Sequence, residues 1–171
     1  MGKQPIVLAI LAVALGALMV SVEAGAQDRE LPYWASLRYD ETRMRVGPSR
    51  EYPIDWVYRR KGLPLKVIRS RDEWNLVEDP DGTQGWIAQS QLSRRRAALV
   101  IGEELAVLRE EPQPTGKLRW RAEPGVVAQL LRCREGWCEI DVTGRTGWVE
   151  AERLWGDEDL IAETGNSEAG E

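Results

Sequence analysis

Val126–Val149, VVAQLLRCREGWCEIDVTGRTGWV, reads as an apolar run, a short polar turn, a second apolar run opened by Trp137, another turn, and then Gly147-Trp148-Val149. Short runs rich in Val, Ile and Trp, bounded by Gly-containing turns, predict a three-stranded antiparallel meander. The same grammar occurs earlier in the chain. Leu65–Ile68 leads through Arg69–Glu73 to Trp74-Asn75-Leu76-Val77, and Gly85-Trp86-Ile87 follows Asp79-Pro80-Asp81-Gly82. Gly62 and Gly125 stand equally far ahead of Trp74 and Trp137, and Leu92 and Leu154 close the two copies. The chain is an internal duplication.

Length agrees with that reading. A chain of 171 residues holds two copies of about 60, each near the lower limit at which one core is self-sufficient. The 8 Trp and complete lack of Phe mean that these small cores and their surfaces are furnished with indole rings. The net charge is −5, yet the segment 156–171 alone holds six acidic residues and no Lys or Arg, so the remainder is close to neutral. Basic residues are scattered, with Arg59-Arg60-Lys61 and Arg94-Arg95-Arg96 the only runs of three, which argues against a nucleic-acid binder.

Taken in order, Lys3, the apolar run Ile6–Val20 and the small residues Ala24-Gly25-Ala26 form a secretory signal over 1–26 with an A-x-A cleavage site. The run is shorter than the roughly 20 residues a spanning helix needs, so an uncleaved anchor is the weaker alternative. No Cys at the junction offers a lipid anchor. The mature protein is expected to begin near Gln27, to keep no stable membrane span, and to be periplasmic or secreted. The first module covers 33–93 and opens on Tyr33–Leu37, with Met44–Ser49 as a strand stopped by Gly47-Pro48 and Tyr52–Val57 as a Pro53-containing loop. Asp81-Gly82 between apolar runs marks a hairpin. Ser93–Arg96 is a polar linker, and the second module covers 97–155, with a Pro-rich loop at Glu111–Gly116. The acidic segment 156–171 lacks apolar periodicity and reads as disordered.

These residues resemble a bacterial SH3-like domain, repeated in tandem. The resemblance rests on Arg45-Val46-Gly47-Pro48-Ser49, on Lys61-Gly62, on the Trp-x-x-Val of Trp74 and Val77, and on Gly85-Trp86-Ile87 followed by Leu92. The second copy departs at its opening, where Leu108-Arg109-Glu110-Glu111-Pro112 lacks the glycine. The resemblance implies an all-β fold of two small five-stranded barrels, a bacterial envelope setting and a binding role. It implies no catalytic activity.

Two sets of residues stand out. Cys133 and Cys138, the only cysteines, flank a turn, and an isolated pair in an exported chain reads first as a disulfide. Reactive or free thiols are the alternative. Zinc would require two more ligands, and the chain has no His, so no metal or cofactor is expected. The second set is aromatic. Strand alternation places successive side chains on opposite faces. With Val77, Ile87, Ile140 and Val149 turned inward, Trp74, Trp86, Trp137 and Trp148 turn outward and form an exposed aromatic face on each module. In SH3-like domains the position matching Trp74 and Trp137 lines the ligand groove, so the resemblance implies a binding role there. The other reading has the rings capping barrel edges or sealing the contact between modules. Tyr33, Trp34, Tyr39 and Tyr52 are further candidates for the first module's patch.

Enzymatic chemistry is the poorest reading. Without His the Ser-His and Cys-His schemes are closed, and carboxylate pairs such as Asp72-Glu73 and Glu110-Glu111 fall in turns. The expectation is therefore an exported, non-catalytic protein that recognises cell-wall peptide or an envelope protein through its Trp faces. The competing expectation is an assembly protein in which those faces pack between modules or subunits.

Overall fold

The computed structural model describes residues 30–156. The expected signal segment, and all of the acidic segment except Gly156, lie outside the described residues. Within them the chain is all-β, with two seven-stranded antiparallel sheets built in the same strand order. The first contains β1 (Tyr33–Leu37), β2 (Thr42–Arg45), β3 (Ile54–Tyr58), β4 (Pro64–Arg71), β5 (Trp74–Glu78), β6 (Gln84–Ala88) and β7 (Leu92–Ser93), arranged β3-β2-β6-β5-β4-β1-β7. The second contains β8 (Ala97–Val100), β9 (Ala106–Arg109), β10 (Leu118–Ala122), β11 (Val127–Arg134), β12 (Trp137–Val142), β13 (Arg145–Glu150) and β14 (Leu154–Trp155), arranged β10-β9-β13-β12-β11-β8-β14.

The strand number exceeds the five implied by the resemblance for two reasons. β7 and β14 are two-residue strands that follow single 3-10 turns and pair back onto β1 and β8. In addition, the segment read as a loop around Pro53 is strand β3 from Ile54 onward, paired with β2. Pro53 stands just before the strand, where its missing N–H costs no ladder bond.

Each sheet bends in the same place. The register slips by one residue between Val67 and Arg69 on β4, and again between Leu130 and Arg132 on β11. Such a bulge sharpens local twist and lets a sheet curl over its own core. The Gly-Trp motif has a packing cause. A Cβ on Gly85 would lie 2.5 Å from Cγ of Met44, and one on Gly147 would lie 2.9 Å from Cβ of Leu108. Only glycine lets the fully buried residue of the neighbouring strand cross there.

Inward alternation fills the first core with Leu37, Met44, Leu65, Val67, Val77 and Ile87. The second core holds Val100, Leu108, Leu130, Ile140 and Val149. The copies also share a seam. Leu99 of β8 belongs to the first core, and Ile101, Val127 and Trp155 pack against it. Across the seam Trp34 and Trp155 meet edge to face with centroids 4.5 Å apart. Ser36 donates from Oγ to the carbonyl of Arg95 at 2.8 Å. Trp34 and Trp155 are thus a ring pair that joins the modules.

Candidate functional site: the outward aromatic faces

On β5, Asn75 and Val77 face the core, and Trp74, Leu76 and Glu78 face out. Register then fixes one cross-strand ladder on the outer face. Ile54 pairs with Arg45, Arg45 with Trp86, Trp86 with Leu76, and Leu76 with Arg69. A second rung set runs beside it, in which Arg71 pairs with Trp74 and Trp74 with Ala88. Trp74 and Trp86 therefore lie on one face, as diagonal neighbours within reach of one bound segment. Both rings are half-buried.

The second copy repeats the ladder rung for rung. Leu118 pairs with Arg109, Arg109 with Trp148, Trp148 with Glu139, and Glu139 with Arg132, while Arg134 pairs with Trp137 and Trp137 with Glu150. Here the expectation of an exposed aromatic face is corrected. Trp148 is 4% exposed and Trp137 8%. Neither belongs to the core cluster of its module. The guanidinium carbons of Arg132 and Arg134 lie 5.2 and 4.9 Å from the Trp148 ring centroid. Arg132 is anchored there by Glu139, with Nε–Oε2 at 2.9 Å. Trp137 has Arg134 and Glu150 as cross-strand neighbours where Trp74 has Arg71 and the small Ala88, and Trp74 is half-buried where Trp137 is buried.

Strand alternation missed a second pair. Trp56 on β3 is 59% exposed. Its counterpart Trp120 on β10 is closed down: its Nε1 donates to the carbonyl of Thr146 at 3.0 Å, and Arg145 lies 4.8 Å over the ring. Thr83 takes the place of Arg145 in the first copy, and among the described residues no cation covers Trp56. The other aromatic candidates divide. Trp34 is buried in the seam, Tyr33 accepts from Nδ2 of Asn75 at 3.1 Å, and Tyr39 and Tyr52 are exposed.

Beneath the face, Tyr58 donates to Oδ2 of Asp79 at 2.9 Å in a buried setting. Burial first, and then the Asp79 hydrogen bond and charge, hold the Tyr58 phenol well above its usual range. Oδ1 of Asp79 accepts from the backbone N–H groups of Asp81 and Thr83 at 3.0 and 2.8 Å, which closes the β5–β6 turn. This pair is structural. Cys133 and Cys138 form a disulfide across β11 and β12. Among the described residues no group of three or more Cys, Asp or Glu is placed to hold a metal, and no helix is long and apolar enough to cross a membrane.

Two small sheets, each curled on its own core and repeated in tandem with the same ladder, define a tandem SH3-like barrel protein. The bacterial SH3 domain family model matches residues 38–94 and 102–156, and the chain belongs to that family. It is also similar to the solved structure of NlpC1 from Trichomonas vaginalis, at 12% identity and a TM-score of 0.33 over 75% of this chain and 47% of that one. NlpC2 from the same organism matches at 10% identity and a TM-score of 0.33 over 74% of this chain and 49% of that one. The chain spans about half the length of these two structures. No curated protein matches it.

Proposed function

We propose that the chain is an exported, non-catalytic binding protein that holds cell-wall peptide on the open Trp74–Trp86 face of its first module. One observation carries the reading: the same outer ladder occurs twice, with both Trp rings half-buried in the first copy and both buried in the second, where two arginines cover Trp148. An aromatic pair offers large, rigid contact area at low entropy cost. A wall stem peptide is the partner that an extracytoplasmic location makes available, and the disulfide and the family both fit that location. Asp72, in the turn beside Trp74 and with its side chain 88% exposed, meets a ligand amine at the rim, where such pairs contribute little.

The competing reading is an assembly protein in which the same Trp faces pack between modules or subunits. A pull-down of mature protein with purified cell wall tests the proposal. Wild type is retained on the wall and Trp74→Ala is lost while remaining folded. An oligomer that ignores wall fragments supports assembly instead. For export, N-terminal sequencing of the mature protein should start at or within a few residues of Gln27, and an intact Met1 in the membrane fraction contradicts it.

A further inference from the structure

The two outer ladders carry the same cations. Arg69 and Arg71 stand on the rungs of Arg132 and Arg134, and Arg45 on that of Arg109. Arg45 and Arg109 are occupied alike, donating from Nη1 to the carbonyls of Tyr52 and Gly116 at 2.6 and 2.8 Å. The supply of arginines therefore does not explain why Trp148 is covered and Trp86 is open. The anchor does. Glu139 lies between Arg132 and Trp148 in the ladder, and its carboxylate draws Arg132 inward across the indole. Leu76 holds the same rung between Arg69 and Trp86 and presents no carboxylate. Among the described residues, no guanidinium stacks on Trp86.

We infer that this single rung, Leu76 in the first module and Glu139 in the second, is the specificity-determining position of the duplicated face. Glu139 makes the second module a closed copy of the first module's site. A guanidinium stacked on an indole is favourable by itself, more so when partly desolvated, but an untethered arginine loses rotamer freedom to stay there. The Glu139 hydrogen bond and charge offset that loss, and Arg134 completes the cover. A wild-type chain accordingly presents one uncovered ladder, and a ligand reaching for the second must first displace the arginines over Trp148, one of them held by Glu139. The number of ligands bound rests on the wall-peptide reading above; the opening and closing of the face does not.

The experiment reads the face directly and separates those two parts. Acrylamide quenching is measured on the full mature chain, with a Trp148→Phe background subtracted to isolate the Trp148 signal and a Trp86→Phe background for Trp86. Glu139→Leu is expected to raise Trp148 quenching severalfold, and Glu139→Gln to raise it partly. The reverse change, Leu76→Glu, is expected to lower Trp86 quenching, so the inference stays exposed even where one variant folds poorly. High salt, which screens exposed pairs, should move wild-type Trp148 in the same direction as Glu139→Leu. Titration with a soluble muropeptide should then show two sites per chain in Glu139→Leu against one in wild type. The inference is overturned by a folded Glu139→Leu protein whose Trp148 stays protected, or by a folded Leu76→Glu protein whose Trp86 stays open. If accessibility shifts as expected and muropeptide binds no variant, the rung controls exposure as inferred, and the wall-peptide reading is what fails.

Discussion

Tyr58 shows how a single residue of the first module ties local chemistry to stability. Its hydroxyl is buried against Oδ2 of Asp79, whose other oxygen holds the β5–β6 turn. Tyr58→Phe leaves Oδ2 without its donor, which should cost about 1–3 kcal/mol at neutral pH. The folded phenol is raised above its unfolded value of 10.0, so the stability it contributes is fully present below pH 10 and is lost as pH climbs above it. Denaturant melts should therefore show wild type and Tyr58→Phe converging between pH 7 and pH 11. A constant gap between them contradicts the assignment. At this scale the sequence was half legible. The outward direction of Trp74 and Trp86 followed from Val77 and Ile87 by alternation alone. Exposure did not follow, because it depends on cross-strand neighbours such as Leu76 against Glu139, which come beside the rings only once register is known. Trp120 escaped for the same reason: Arg145 reaches its ring from a strand two places away in the sheet.

Among the elements, the β11–β12 hairpin of the second module and the β4–β5 hairpin of the first solve one problem in two ways. Cys133 and Cys138 face each other in register and form a disulfide. Ser70 and Asn75 hold the matching rung with an Oγ to Oδ1 hydrogen bond of 2.9 Å. A crosslink between residues five apart closes a small loop, so its loss removes at most about 2 kcal/mol on the chain-entropy account. Calorimetry of Cys133→Ser/Cys138→Ser should show a modest drop in the unfolding midpoint. Thiol labelling of native, unreduced protein contradicts the bond. The hairpins were readable because turns containing Gly136 (φ 76°) and Gly144 (φ 89°) advertise positive φ in the sequence. Strand β3 was not readable, because Pro53 resembles a loop signal and four of the five residues Ile54–Tyr58 are exposed, which erases the alternation that marks a strand.

The whole molecule behaves as a pair rather than as beads. Trp155 of the second sheet packs on the first core and meets Trp34 edge to face. Two units of about 60 residues, each marginal alone, gain from that shared surface. Trp155→Ala should lower the stability of both, by at least about 1 kcal/mol from the lost ring pair and burial, and split one calorimetric transition into two. A single unshifted transition means the seam does not couple them. The duplication was legible from spacing, and the seam was not, since Trp34 and Trp155 lie at opposite ends of the described chain. The proposed functional division rests on the outer ladders: the first copy, with half-buried Trp74 and Trp86, is assigned the binding role and the second, with Trp137 and Trp148 buried, a supporting one. Titration of the mature protein with a soluble muropeptide, run in parallel on wild type, Trp74→Ala, Trp86→Ala and Trp148→Ala, tests that division most directly. The account predicts affinity at least about tenfold weaker for the first two variants, as expected of aromatic hot spots, no change for Trp148→Ala, and folded proteins throughout. Unchanged affinity in Trp74→Ala and Trp86→Ala, or a loss confined to Trp148→Ala, contradicts it.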